Sequence, residues 1–134
     1  MRKILVILQI IFLTSCSTDK DSDEAEQNVT IRIENASIYK YEDIYVHPSS
    51  SYATNGGNQN YGTLDPNTFS DYKQFDVAYG YAAVKAKIDG KTYTLMPIDF
   101  VGEIPLKPGK YTYKITANES TDEYQKLDLT LVEN

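Results

Sequence analysis

Val84-Lys85-Ala86-Lys87-Ile88-Asp89-Gly90-Lys91-Thr92-Tyr93-Thr94-Leu95 decides the fold of this chain. Asp-Gly supplies the two positive-φ positions of a type I′ turn, whose twist matches that of the strands it joins. A two-residue loop sets Ile88 opposite Lys91, Ala86 opposite Tyr93 and Val84 opposite Leu95, with Lys85 and Lys87 opposite Thr94 and Thr92. One face of the hairpin is then apolar and the other charged or hydroxylated, so turn and side-chain period fix the same register. Beyond Val84 and Leu95 the sorting fails, because Ala83 and Tyr81, on the Lys85 face, come opposite Met96 and Ile98. That end of the hairpin is apolar on both faces and needs a cover, which we expect from the Ser49 to Asn67 loop in preference to a partner.

Strand signals continue on both sides of the hairpin. Val29, Ile31 and Ile33 alternate with Thr30, Arg32 and Glu34, the period of a half-buried strand. A second strand is expected near Glu42 to Val46, a short one over Phe69 to Phe75, a long one over Val77 to Ile88, and a last one over about Lys126 to Val132. Between them, Ser49 to Asn67 collects Ser, Asn, Gly and Pro, including Asn55-Gly56-Gly57-Asn58, and reads as the longest loop. Leu106-Lys107-Pro108-Gly109-Lys110-Tyr111 resembles the tyrosine corner of Greek-key sandwiches, in which a Tyr opening a strand bonds back to the preceding turn. Pro108-Gly109 fits a type II turn. The expected fold is therefore all-β: an antiparallel Greek-key sandwich of about seven strands over residues 29 to 134, immunoglobulin-like or transthyretin-like.

The residues before this domain differ in kind. Ser17 to Asn28 holds Asp19, Asp21, Asp23, Glu24 and Glu26 against Lys20 alone, with no aromatic or branched apolar residue. Such a segment cannot bury enough surface to offset its ordering entropy, so 16 to 28 is expected to be a disordered tether. Upstream, Arg2 and Lys3 precede an apolar run from Ile4 to Leu13 that is too short to span a bilayer. Residues 1 to 15 therefore read as a signal peptide. Leu13-Thr14-Ser15-Cys16 resembles the lipobox of bacterial lipoproteins. That resemblance implies cleavage before Cys16, acylation of its thiol with palmitate or a similar chain, and residence in the cell envelope. The acidic run after the cysteine resembles the export signal of lipoproteins sent to the outer membrane. Cys16 is also the only cysteine, so no intramolecular disulfide can form.

Composition limits the function. The formal net charge of −6, with no basic patch in the sequence, disfavours nucleic acid and anionic surfaces, whose binding begins with neutralising phosphates. No metal and no cofactor are implied, since zinc would need several His or Cys ligands and the chain has one of each. His47, the single histidine, precedes Pro48 and is expected at the surface. Asp99 and Glu103 flank one turn and are the minimum for glycoside hydrolysis, the enzymatic alternative. Of the twelve tyrosines, Tyr52 and Tyr61 in the long loop are the candidates for a recognition surface for a glycan or protein. Tyr81, Met96 and Ile98 are the candidates for an apolar patch. The sequence thus points to a monomeric, lipid-anchored, non-catalytic binding or accessory module, with a structural spacer as a further alternative.

Overall fold

A computed structural model describes residues 28–48, 59–97, 99 and 101–134. The signal peptide, Cys16, nearly all of the tether, Tyr52 and Ile98 lie outside the described residues. Eight strands are present among those described: β1 (Val29–Asn35), β2 (Tyr41–His47), β3 (Gln59–Leu64), β4 (Lys73–Phe75), β5 (Ala83–Ile88), β6 (Lys91–Leu95), β7 (Gly109–Ala117) and β8 (Leu127–Glu133). They form two four-stranded sheets, β4-β1-β7-β8 and β3-β2-β5-β6.

The β5/β6 hairpin has the five pairs expected from its sequence, from Val84 opposite Leu95 to Ile88 opposite Lys91. Asp89 and Gly90 have φ of 51° and 79°, as a type I′ turn requires. Its apolar face, Val84, Ala86, Ile88 and Tyr93, packs into the core with Val29, Ile31 and Ile33 of β1 and Tyr113 and Ile115 of β7.

Elsewhere the architecture corrects the sequence reading. The described residues form eight strands rather than about seven, and the sandwich is not wholly antiparallel, because β1 runs parallel to β7 from Val29 opposite Gly109 to Asn35 opposite Ile115. Only Ala83–Ile88 of the long strand expected from Val77 is paired, and only Lys73–Phe75 of the one expected from Phe69, which keeps a single bridge to Glu34. Part of the expected long loop is strand β3.

β3 escaped notice because it does not follow a period of two. Its inward residues are Tyr61 and Leu64, three apart, with Gly62 at φ 72° between them. The facing strand β2 does the same: Tyr41 and Ile44 point inward around Asp43, whose φ is 48° and whose carboxylate meets Lys87 Nζ at 2.9 Å. Bulged register on both strands keeps two large side chains in the core where strict alternation would have turned one out.

Phenol hydroxyls tie the sheets together through the core. Tyr61 donates to the Ile31 carbonyl at 2.7 Å and Tyr41 to that of Ile115 at 3.2 Å, each reaching from one sheet to the other. Tyr113 donates to the Tyr79 carbonyl at 2.5 Å. Burial pushes all three phenols above the ordinary value of 10.0. Above about pH 10 the unfolded chain therefore sheds protons that the native state keeps, and stability falls with rising pH. The urea midpoint is expected to be lower at about pH 11 than at neutrality, with Tyr61→Phe flattening that slope; a flat profile in the native chain would contradict the burial argument.

The tyrosine corner is present, since Tyr111 donates to the Lys107 carbonyl at 2.7 Å. The turn before it differs from the expectation. Gly109 has a φ of 152°, far from the about 80° of a type II turn, and is already the first residue of β7. The edge of β6 is covered by the β7–β8 connection, where the Thr94 amide donates to the Glu123 carbonyl at 2.8 Å and Lys91 Nζ to that of Thr121. A covered edge cannot template pairing with another chain.

Candidate functional site

The outward faces of β2, β5 and β6 are set by their pairing. Tyr45 lies opposite Lys85 and Lys85 opposite Thr94, so these three form one cross-strand row outside the second sheet. His47 lies opposite Ala83 in the adjoining row, and Met96 continues β6 past its last pair. Together with Val84 these residues line a groove of about 390 Å³. Ala83 gives the groove its depth, because a methyl between Tyr45, His47 and Met96 leaves space that a larger side chain would fill. The walls are an exposed phenol ring and a thioether, with Lys85 and the Thr94 hydroxyl as polar points.

The sequence candidates are placed unevenly around it. Met96 is in the groove and 61% exposed. Tyr81 is not among the lining residues; its hydroxyl donates to Glu103 Oε1 at 2.8 Å, a bond that holds the phenol above its ordinary range. Ile98, the third member of the expected patch, lies outside the described residues, as do Ser49 to Asn58 of the expected cover. Tyr61 is a correction: expected in an open loop, it is 8% exposed with its hydroxyl in the core, because β3 carries it inward. His47 is a second correction, since it is buried rather than at the surface.

Asp99 and Glu103 both have local partners. Asp99 Oδ1 accepts from the Val101 amide at 3.0 Å, closing the turn, and Glu103 accepts from Tyr81. Among the described residues no group of three His, Cys, Asp or Glu is placed to hold a metal ion.

Tyr45 and His47 were missed as groove residues by the sequence reading. The outward position of Tyr45 was legible, since it lies between the inward Ile44 and Val46. That β2 pairs with β5, bringing Tyr45 beside Lys85, has no signal in either strand alone. A second cluster on the other sheet was likewise unread. Arg32 lies 4.2 Å from the Phe69 ring centre and 5.2 Å from that of Tyr72, and its Nε donates to Thr112 Oγ1 at 3.0 Å.

A solved structure shares this architecture. The NMR structure of a protein from Eubacterium rectale aligns with a TM-score of 0.50 at 16% sequence identity, over 84% of this chain and 93% of that one. At that identity the likeness shows the fold alone. No protein-family model and no curated protein matches the chain.

Proposed function

We propose that the chain is a lipid-anchored β-sandwich of the cell envelope, held through acylated Cys16, that works as a non-catalytic binding or accessory module. The observation that carries the binding role is the groove outside the second sheet, with Met96 exposed at its rim over Ala83. Isolated exposed apolar residues need no explanation, but an apolar concavity with a few polar points has the form of a recognition site. The engagement of Asp99 by Val101 and of Glu103 by Tyr81 supports turn-building roles for the two carboxylates over glycan hydrolysis. The lipid anchor rests on the lipobox-like Leu13-Thr14-Ser15-Cys16 after a short apolar run.

Of the two sandwich classes suggested by the sequence, the strand orders favour the transthyretin-like one. An immunoglobulin constant domain pairs its first strand with the second, in a sheet ABED. Here β1 lies between β4 and β7.

The test joins two substitutions in the full chain. Cys16→Ala is expected to abolish incorporation of labelled palmitate and processing by the lipoprotein peptidase; unchanged labelling would refute the anchor. Met96→Lys places a charge in the groove at an exposed position, so the fold survives. Crosslinking in living cells is expected to capture a protein or glycan partner with the native chain and to lose it with Met96→Lys. Identical capture by both would remove the groove from consideration.

A further inference from the structure

The position at which the chain enters the sandwich places a second surface. Asn28 precedes β1, and its carbonyl accepts from the Gly109 amide at 3.2 Å. Val29 pairs with Gly109 at the start of β7 and with Phe75 at the end of β4. The β6–β7 connection, which ends at Gly109, therefore sits at the same end of the sandwich as the segment leading back to Cys16. Met96, at 61% exposure, Val101, at 87%, and Ile104, at 84%, all stand out from this connection. From Met96 to Leu106 it contains no lysine or arginine. Its base is tied to the body: the Leu106 amide donates to the Ala78 carbonyl at 2.8 Å, and Tyr81 holds Glu103. At the opposite end Ile38, 79% exposed, stands on the β1–β2 connection beside Lys40.

We propose that Val101 and Ile104, exposed on the β6–β7 connection, enter between the lipid headgroups of the membrane that carries Cys16. This inference rests on the lipid anchor proposed above. The occupant follows from where the chain outside the structure ends. If Ser17 to Asn28 form the tether that their composition implies, twelve residues would reach about 17–21 Å from Cys16, which would keep this end of the sandwich beside the bilayer. Tethering turns a weak contact into an intramolecular one, so a few apolar side chains suffice where a free domain would need a large face. Interfacial binding scales with buried apolar area plus attraction to the lipid charge. The acidic chain has no such attraction to offer anionic lipid, so the surface it fits is a zwitterionic one.

The chain has no tryptophan, so an introduced indole reports alone. Ile104→Trp changes an exposed residue at the proposed contact, and Ile38→Trp an exposed residue on the β1–β2 connection at the far end. Each full-length protein would be extracted from labelled envelopes, assayed for palmitate, and reconstituted into phosphatidylcholine vesicles with or without brominated acyl chains. An apolar face lying about 5–10 Å into the headgroup boundary is within reach of the bromines. The expected result is a blue shift and loss of most emission for Ile104→Trp, with neither for Ile38→Trp. Palmitate present with equal quenching at both positions overturns the membrane contact and leaves the anchor standing. Palmitate absent overturns both. A blue shift in whole envelopes but not in vesicles identifies a protein as the occupant and also overturns the proposal.

Discussion

Asn35→Ala is expected to destabilise the sandwich by about 3 kcal/mol and to lower its melting temperature by about 12 to 24 °C. Asn35 is the last residue of β1, fully buried at 0% exposure, and every polar atom of its amide is used. Its Nδ2 donates to the Tyr39 carbonyl at 2.7 Å and to the Leu64 carbonyl at 3.1 Å, while Oδ1 accepts from the Ser37 amide and hydroxyl. Leu64 belongs to β3 in the other sheet, so this one amide fastens the β1–β2 turn and bridges the two layers. Truncation leaves three backbone groups without this partner where water cannot readily replace it, and each such orphan costs about 1–3 kcal/mol. The Tyr39 carbonyl keeps a bond from Ser37 Oγ, which is why the total stays near the lower end of that sum. Asn35→Asp should fare no better at neutral pH, since it turns a donor to two carbonyls into a carboxylate facing them. Thermal melting followed by circular dichroism decides the matter, and a shift of only a few degrees for Asn35→Ala would show that the bridge is redundant.

Lys126→Met is expected to cost about 2 kcal/mol and to loosen one connection before the rest of the fold. Lys126 is buried, and no carboxylate pairs with it among the described residues. Its ammonium donates instead to the Asn118 carbonyl at 2.7 Å and the Ser120 carbonyl at 3.1 Å, and lies 4.4 Å and 5.1 Å from the ring centres of Tyr39 and Tyr93. Hydrogen bonds from a charged donor contribute about 1.5–3 kcal/mol each, and contact with a ring face contributes about 0.5–1 kcal/mol or more. Against that stands the cost of keeping an ammonium out of water, which methionine removes while conserving the stem volume. The carbonyls decide the sign, because methionine leaves both without a donor. Amide exchange gives the discriminating measurement. Residues 118 to 126 should lose protection, and so should the Thr94 amide, whose acceptor Glu123 sits on that connection. Uniform loss across both sheets, or none, would contradict a local role.

The hairpin, the tyrosine corner and the all-β class were legible because their determinants are local. Asp89-Gly90 imposes its own backbone, and the side-chain period on either side agrees with it. Tyr111 reaches a carbonyl only four residues away. Tyr81 and Met96 both lie past the last hairpin pair, Met96 in the groove and Tyr81 bonded to Glu103, a division that no local pattern announces.

By itself, then, the chain determined its class, one complete register and the residues that face inward wherever alternation is regular. Tertiary structure alone decided the parallel union of β1 with β7, whose paired residues are eighty positions apart, and it alone made β3 a strand. A parallel pair needs no turn and leaves no mark at either end. The bulges at Asp43 and Gly62 break the period by which a strand is recognised, and they persist because the partner strand and Lys87 hold them. Tyr61 shows the consequence most directly: its neighbours read as loop, yet a carbonyl on the opposite sheet fixes its ring in the core.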